Sequence, residues 1–296
     1  MKKQIIISKG EIDLRLDKLL KKNFSSLTQS FIEKNIRKKN IIVNGLKKSA
    51  NYRLKYNDRV DILNYNKEHY KHIVFIKKFK IPKKINDRFS QSIIFENDNF
   101  IVLNKWGGIA SQGGSKIIVS IDHIIKNISP SYNLVHRLDK ETSGLLIIAK
   151  NLQYTKILGE MFKNKTIEKI YLAICQGRPK ILESNIYLDI PSKEKENTKH
   201  KTETYYKVIK LNNNLSQILF VPKTGKTHQL RIVSKKLGCP IIGDKKYNLQ
   251  SKYKKEELKL NAHKINFKIN SKMYKFSSLL PDHFKKFIKK NNLKFI

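Results

Sequence analysis

Three clusters of polar side chains in this chain have the residue types that chemistry requires. The first is "HRLDKETSG", residues 136–144. It places His136, Arg137, Asp139, Lys140 and Glu141 directly before the apolar run "LLIIA". Arg137 and Asp139 are two apart, so in extended chain both project to the same side. Acidic residues are scarce, 24 against 62 Lys and Arg. A carboxylate at the edge of a core is partly desolvated and must be paired with a cation. The second cluster is "EKIYLAICQG", where Lys169 and Tyr171 sit two apart on a strand-like apolar run, with the tyrosine hydroxyl at its rim. The third is "PKTGKTHQLRIVSKKLGCPIIGDKKYN", residues 222–248, in which Lys223, Lys226, His228, Gln229 and Arg231 are crowded together, with Gly225 and Gly238 in the same stretch. Each cluster taken alone also fits a solvated turn or a structural role. Together, on a strongly basic chain, they point to an enzyme acting on nucleic acid whose reaction the spacing leaves open.

Several other chemistries lack their motifs. No GxGxxG, GxxxxGK[ST] or HExxH occurs, and "TGK" at 224–226 is only a fragment of a phosphate loop. No cofactor and no metal is called for. Cys175 and Cys239 lie far apart without a CxxC or Cys/His spacing, and are expected as buried free thiols in a reducing compartment. The opening "MKKQIIISKG" has too short an apolar run for a signal-peptide core. No run approaches the ~18 apolar residues of a membrane span. A soluble, cytoplasmic protein without a membrane partner is expected.

The net charge of +38 on 296 residues is comfortable only beside a polyanion, because self-repulsion otherwise opposes compaction. Nucleic acid is the first candidate and an anionic membrane surface the second. The abundance of Lys, Ile and Asn is also what an AT-rich genome produces, so charge alone does not decide the matter.

The elements that must carry the clusters fall into two parts. Residues 1–66 read as a small unit. "IDLRLDKLLKKNF" puts Ile12, Leu16, Leu19 and Leu20 at helical spacing. A second helix, "TQSFIEKNIRKKN", turns Phe31, Ile32 and Ile36 inward, with Ser25, Ser26 and Thr28 as cap candidates. "IIVNG" reads as a strand ending in an Asn44-Gly45 turn, and a strand pair is expected around Asn57-Asp58. Lys18, Lys34, Arg37 and Lys38 make a basic helical surface suited either to solubility or to phosphates. Residues 67–90 read as a basic linker, and 91–296 as the larger unit. There a hairpin is expected around Asn97-Asp98, helices near 117–128 and 152–164, and strands at 145–149, 169–176, 203–210, 216–221 and 262–269. "PSKEKENTKHKTET", residues 191–204, reads as a charged loop. Strands outnumber helices and connections are short, which predicts an α+β fold with a mixed, largely antiparallel sheet.

"HRLDKETSGLLIIAK" resembles the signature of the RluA family of pseudouridine synthases. "EKIYLAICQG", "PKTGKTHQLRIVSKKLGCPIIGDKKY" and "FENDNFIVLNKWGGIASQGGS" are similar to further family segments, in family order. "LRLDKLL" with "FIEKNIRKKNIIVNG" resembles the S-four RNA-binding module that many members carry, and "GGS" with that module resembles the RluC branch, which modifies large-subunit ribosomal RNA. The resemblance implies a pseudouridine synthase fold with Asp139 as nucleophile. It implies Arg231 as the cation that keeps Asp139 ionised, and Tyr171 as a stacking platform and candidate base. Arg137 would take the place of the flipped base. Lys18, Lys34, Arg37, Lys38, Lys169, Lys226, His228 and Gln229 are expected to contact RNA. The partner is RNA rather than DNA, and a monomer is expected. Transfer RNA as substrate, or a non-catalytic RNA-binding role in ribosome assembly, are the rival readings. Four residues depart from the family pattern: Trp106, Gln112, Ser234 and Asn261. They are expected to leave Asp139, Tyr171 and Arg231 untouched and to bear on substrate identity.

Overall fold

The computed structural model describes residues 1–71, 79–114, 117–191, 198–249 and 252–295. The chain divides into two compact units, Met1–Lys77 and Lys78–Ile296. In the first, β1 (Lys3–Ile6), α1 (Leu16–Asn23), α2 (Gln29–Arg37), β2 (Ile41–Val43) and β3 (Arg59–Ile62) form two helices and an antiparallel sheet of order β1-β3-β2. Leu16, Leu19, Leu20, Ile32 and Ile36 are buried, as their spacing predicts. Thr28 caps α2 by accepting the Phe31 N–H at 3.2 Å. Ile12 differs from expectation. Asp13 turns the chain at φ 64°, α1 begins at Leu16, and Ile12 stays exposed. The strand pair expected around Asn57-Asp58 is also different, because β3 pairs with β1 and β2 rather than with the segment before it.

The stretch read as a linker, 67–90, is in part folded. Tyr70 is buried edge-on against Phe24 and Phe31, so the first unit continues past residue 66. At the other end α3 (Lys83–Gln91) buries Phe89, with Ile81 and Ile85 beside it. Single apolar anchors among lysines gave too weak a periodicity to mark either. Residues 72–78 lie outside the described residues.

The larger unit continues with β4 (Ile93–Glu96), β5 (Phe100–Lys105), α4 (Ile121–Ile128), β6 (Asn133–Leu134), β7 (Ser143–Ala149), α5 (Leu152–Lys163) and β8 (Glu168–Gln176). Then follow β9 (Glu183–Pro191), β10 (Lys199–Asn212), β11 (Leu215–Pro222), α6 (Gln229–Lys236), β12 (Leu260–Ile269), β13 (Lys272–Ser277) and α7 (Asp282–Lys290). Ten strands form one sheet along the order β4-β5-β7-β12-β8-β11-β10-β9, with β13 on β12 and β6 on β7. The fold is the mixed, largely antiparallel α+β type expected; among the paired strands of the described residues, β12 and β7 run parallel. The charged loop expected at 191–204 is a strand from Lys199 onward, because Thr202 and Thr204 alternate inward with Tyr206. Residues 192–197 of that loop lie outside the described residues.

Strand register brings the first two clusters together. Gly144 of β7 lies opposite Ala262 of β12, and Ala262 lies opposite Tyr171 of β8. At two inter-strand spacings, about 10 Å of sheet separates the start of β7 from Tyr171. Tyr171 in turn lies opposite Phe220 of β11. β11 then ends at Pro222 and hands the chain to α6, whose first turn carries Arg231. The parallel contact tolerates no side chain at 144. Gly144 has φ +108°, and a Cβ there would stand 2.3 Å from the Ala262 carbonyl oxygen. Gly144→Ala should therefore destabilise the protein by about 2–5 kcal/mol, combining a left-handed penalty with overpacking. Urea unfolding measures this, and a loss below ~1 kcal/mol would show that β12 yields easily.

Candidate active site

The loop before β7 holds Asp139 by fixing the backbone on both sides of it. The Leu138 N–H donates to Ser111 Oγ at 3.0 Å, and Ser111 Oγ donates back to the Leu138 carbonyl at 2.8 Å. Lys105, buried at the end of β5, donates to the carbonyls of Trp106, Ile109 and Lys140 at 3.0, 3.0 and 3.2 Å. Burial pushes the Lys105 amine down to about 7, opposed by the charges of Glu141 and Asp139. Three acceptors match the three hydrogens of an ammonium, whereas a neutral amine would leave one carbonyl unpaired. The Thr142 N–H donates to the Asp139 carbonyl at 3.1 Å and completes the turn.

Side chains along "HRLD" alternate between scaffold and site. His136 Nε2 accepts the Ile147 N–H at 2.9 Å, and its ring stacks on Phe162 at 4.4 Å. Burial, with the Lys169 charge, lowers it to about 3, so it is neutral with its proton on Nδ1. Leu138 is buried. Arg137 and Asp139 line one pocket, the shared side that their spacing predicts.

Asp139 Oδ2 lies 3.8 Å from Arg231 Nη1 and 3.8 Å from His228 Nε2. Arg231 is itself locked from behind. Its Nε and Nη2 donate to the two oxygens of Asp244 at 2.7 and 2.6 Å, a bidentate pair. Only Nη1 is left to face Asp139. Asp244 also accepts the N–H groups of Lys246 and Tyr247. Burial raises the Asp244 carboxyl, but the Arg231 hydrogen bonds, these backbone donors and the Arg231 charge outweigh it and hold the group below its ordinary range. Gly243 makes this turn possible, since a Cβ there would stand 2.3 Å from the Glu257 carbonyl oxygen. Tyr247 places its ring against the Arg231 guanidinium at 5.2 Å and its hydroxyl 3.1 Å from His228 Nδ1. His228 has φ 57° at the N-terminus of α6, a left-handed backbone for a non-glycine residue, and such strain clusters at functional sites.

The pocket joins all three sequence clusters: Asp139, Arg137, Tyr171, Lys169, Lys226, His228, Gln229 and Arg231 line it. Tyr171 is held well above the usual phenol range by burial and by the Asp139 charge. Its hydroxyl therefore stays protonated, which disfavours the base role that the resemblance implies and leaves stacking. Gln229 is buried and occupied. Its oxygen accepts from Thr224 Oγ1 and the Lys226 N–H, while its nitrogen donates to Thr204 Oγ1 and the Glu203 carbonyl. It shapes the 223–228 loop, and its amide has no free group for RNA. Arg137 is exposed, with Nη2 donating to Thr227 Oγ1 at 3.1 Å. Lys18, Lys34, Arg37 and Lys38 are exposed on the first unit, where Arg37 lines a groove with Arg15, Lys47 and Lys48.

Lys105, Ser111, Asp244 and Tyr247 were not singled out by sequence reasoning. Acid scarcity, the signal that marked Asp139, marks Asp244 equally. Of the departures, Trp106 lies under the Arg88 guanidinium at 4.9 Å and Gln112 is exposed. Asn261 is buried, donating to Ser143 Oγ and accepting from Ser278 Oγ. Ser234 does touch one of the three residues it was expected to leave alone: its Oγ donates to the Arg231 carbonyl at 3.0 Å. Cys175 and Cys239 are buried free thiols.

Residues 99–236 match the family described as RNA pseudouridylate synthase. A Rickettsia typhi protein named ribosomal large subunit pseudouridine synthase C is 44% identical over 254 residues, covering 80% of this chain and 82% of the relative. This chain belongs to the RNA pseudouridylate synthase family. A Rickettsia bellii protein of the same name is 38% identical over 300 residues, covering 95% of this chain and 99% of the relative. The solved structure of human RNA pseudouridylate synthase domain containing 4 shares the synthase fold. It has a TM-score of 0.64 and 21% identity, and the match covers 72% of this chain and 97% of that one. The matched family segment contains Asp139, Tyr171 and Arg231, while Asp244 and Tyr247 lie just beyond it.

Asp244→Asn should cost about 3–5 kcal/mol, because a buried guanidinium loses its counter-charge. The Asp244 carboxyl is lowered from its ordinary 3.8, so its contribution is complete above that value and is lost as pH falls through the folded one. Urea titrations should show a constant gap between wild type and variant above about pH 4, closing below it. A gap that widens with acid would contradict the pairing.

Proposed function

We propose that this synthase converts uridines of large-subunit ribosomal RNA to pseudouridine, with Asp139 as the reacting carboxylate. The observation that carries the reading is the Asp139 carboxylate facing the one free nitrogen of an Arg231 that Asp244 immobilises. The reaction breaks the bond from ribose C1′ to uracil N1 and makes one from C1′ to C5. The proton displaced from C5 is balanced by one gained at N1, so no redox partner is needed. A carboxylate divides the exchange into two easier steps. It adds at C1′ as the uracil leaves with the bonding pair, and is released when C5 attacks. Removal of a C2′ proton by the same carboxylate, through a glycal, uses the same geometry. Arg231 sets a positive charge 3.8 Å from the carboxylate, where negative charge is carried by the attacking group.

Tyr171 provides a face for the detached ring. Arg137, exposed at the mouth, fills the space that the base vacates; flipping costs a few kcal/mol, which such contacts offset. Lys169, Lys226 and His228 border the same pocket. Lys18, Lys34, Arg37 and Lys38 supply phosphate contacts on the first unit, in keeping with its resemblance to an S-four module. The names of the Rickettsia relatives support the large ribosomal subunit as target.

Tritium release from RNA labelled at uracil C5 tests the reading. Wild type should release tritium from large-subunit ribosomal RNA made in cells lacking the protein, and Asp139→Asn should be at least about 10³-fold slower. Equal rates would remove Asp139 from the reaction, and no release by wild type would remove the reaction itself. Because the Tyr171 phenol is held protonated, Tyr171→Phe should retain the wild-type pH–rate profile between about pH 7 and 10. A rise with pH that the phenylalanine variant lacks would restore the phenolate as base.

A further inference from the structure

The large sheet ends in β9, and no described strand pairs with its outer side. The Val208 N–H donates to the Leu182 carbonyl at 2.7 Å, in line with the β9–β10 register. Hydrogen bonding alternates along an antiparallel strand, so the even-numbered residues of β9 bond β10. The N–H groups of Asn185, Tyr187 and Asp189 therefore point away from the sheet, and none has a partner among the described residues. All three residues are exposed, and Tyr187 retains 69% of its surface.

An open edge accepts a further strand, and edges are ordinarily blunted by shortness, lysine or proline. The other edges of this sheet follow that rule. β4 has four residues, β6 has two, and β13 bears Lys272 and Lys275. β9 runs for nine residues without a lysine or arginine, in a chain where these make up 62 of 296. Its proline, Pro191, is the last residue and lies beyond the outward N–H groups. Its charged residues are Glu183 and Asp189. Such an edge repels phosphates and suits a protein strand.

The sequence of β9, "ESNIYLDIP", indicates which strand fits. When it is laid antiparallel on a second copy with the two Tyr187 residues facing, Ile186 opposes Leu188, Asn185 opposes Asp189 and Glu183 opposes Pro191. Ile186 and Leu188 already pack on the cluster that contains Leu230 and Val233 of α6, so the pairing continues an apolar face. On the other face an amide meets a carboxylate, and no like charges stand opposite. Moving the axis to Ile186 sets Glu183 against Asp189. Moving it to Leu188 sets Asp189 against Tyr187 in place of the Asn185 amide. β9 is thus complementary to itself in one register. Two chains of net charge +38 repel, and along this edge no cation of one strand meets a cation of the other.

We infer that the protein self-associates through β9, antiparallel to β9 of a second copy about a twofold axis at Tyr187. The contact is isologous and joins two sheets into one. The expected monomer then holds for dilute protein alone. No residue of β9 lines the catalytic pocket, so each copy keeps its own site.

The test uses the full chain freed of RNA by ribonuclease. Sedimentation equilibrium should show a monomer–dimer equilibrium with a dissociation constant of about 1–100 µM, since one strand pair is a small interface. Raising salt from about 0.1 to 0.5 M should tighten it at least about threefold, because the repulsion between the copies is screened. Tyr187→Pro removes an outward N–H without touching a bond to β10, and should weaken association at least about tenfold. Tyr187→Lys, which sets two cations on the axis, should do the same should the proline variant fail to fold. Its thermal midpoint and tritium release should stay at wild-type values. Register is read by cross-linking. Under mild oxidation Tyr187→Cys should give a disulfide-linked dimer, because facing residues of that kind stand about 5.5 Å apart. Asn185→Cys should not, because its two copies stand roughly 14 Å apart. Cys175 and Cys239 are buried, so wild type should stay uncross-linked. No self-association at about 100 µM would overturn the proposal and leave the edge to a strand of another protein. Association that weakens with salt would overturn it, as would association that survives Tyr187→Lys. Equal cross-linking at positions 185 and 187 would overturn it as well.

Discussion

Everything at this site depends on keeping one aspartate aimed and reachable. Asp139 retains 27% of its side-chain exposure, enough for a ribose to reach it. Its partner is where the structure invests its buried interactions. Arg231 is nearly enclosed, and its excess charge is balanced by Asp244, which has no side-chain exposure at all. A guanidinium left mobile would fold over the Asp139 carboxylate and block it. Held from behind by a bidentate pair, it offers a single nitrogen at 3.8 Å, longer than a tight hydrogen bond. The cation thus stands beside the carboxylate without closing a tight pair over it.

The supporting scaffold follows from this demand. Lys105 and Ser111 grip backbone rather than side chains, so the Asp139 side chain is positioned by a loop whose own atoms are fixed. Gly144 lets β7 and β12 approach closely in parallel, and that contact sets how far Asp139 stands from Tyr171. The same tyrosine feels the Asp139 charge, which helps to keep its phenol neutral. The Asp139 charge is thus felt by a cation, a phenol and a buried lysine.

Much of this was legible in the residues, and the missing parts share a cause. Lys169 and Tyr171 alternate on the extended β8, while Arg137 and Asp139 reach one pocket from the loop before β7. The central strands announced themselves by apolar runs. β9, β13, α3 and α7 did not, since their buried faces are short, as with Phe284, Phe287 and Ile288 among lysines in α7. Lys105 and Gln229 show the deeper limit. Gln229 read as an RNA-contacting residue and Lys105 was passed over, yet each is consumed by internal acceptors or donors that come from other parts of the chain. Composition marks a polar residue as available; only tertiary contacts reveal that it is already used. The Asp244 pairing is of the same kind, a local acid whose meaning depends on a partner thirteen residues away.

The most direct measurement of the Asp139 assignment uses RNA with 5-fluorouridine at the modified position, where fluorine replaces the hydrogen that the final step must expel. Wild type should complete the glycosidic exchange and stop, so that nuclease digestion and mass spectrometry recover a rearranged nucleoside that keeps its fluorine. Asp139→Asn should return 5-fluorouridine unchanged. Rearrangement by Asp139→Asn at the wild-type rate would contradict the account, because the carbon–carbon bond would then form without the carboxylate around which the site is built.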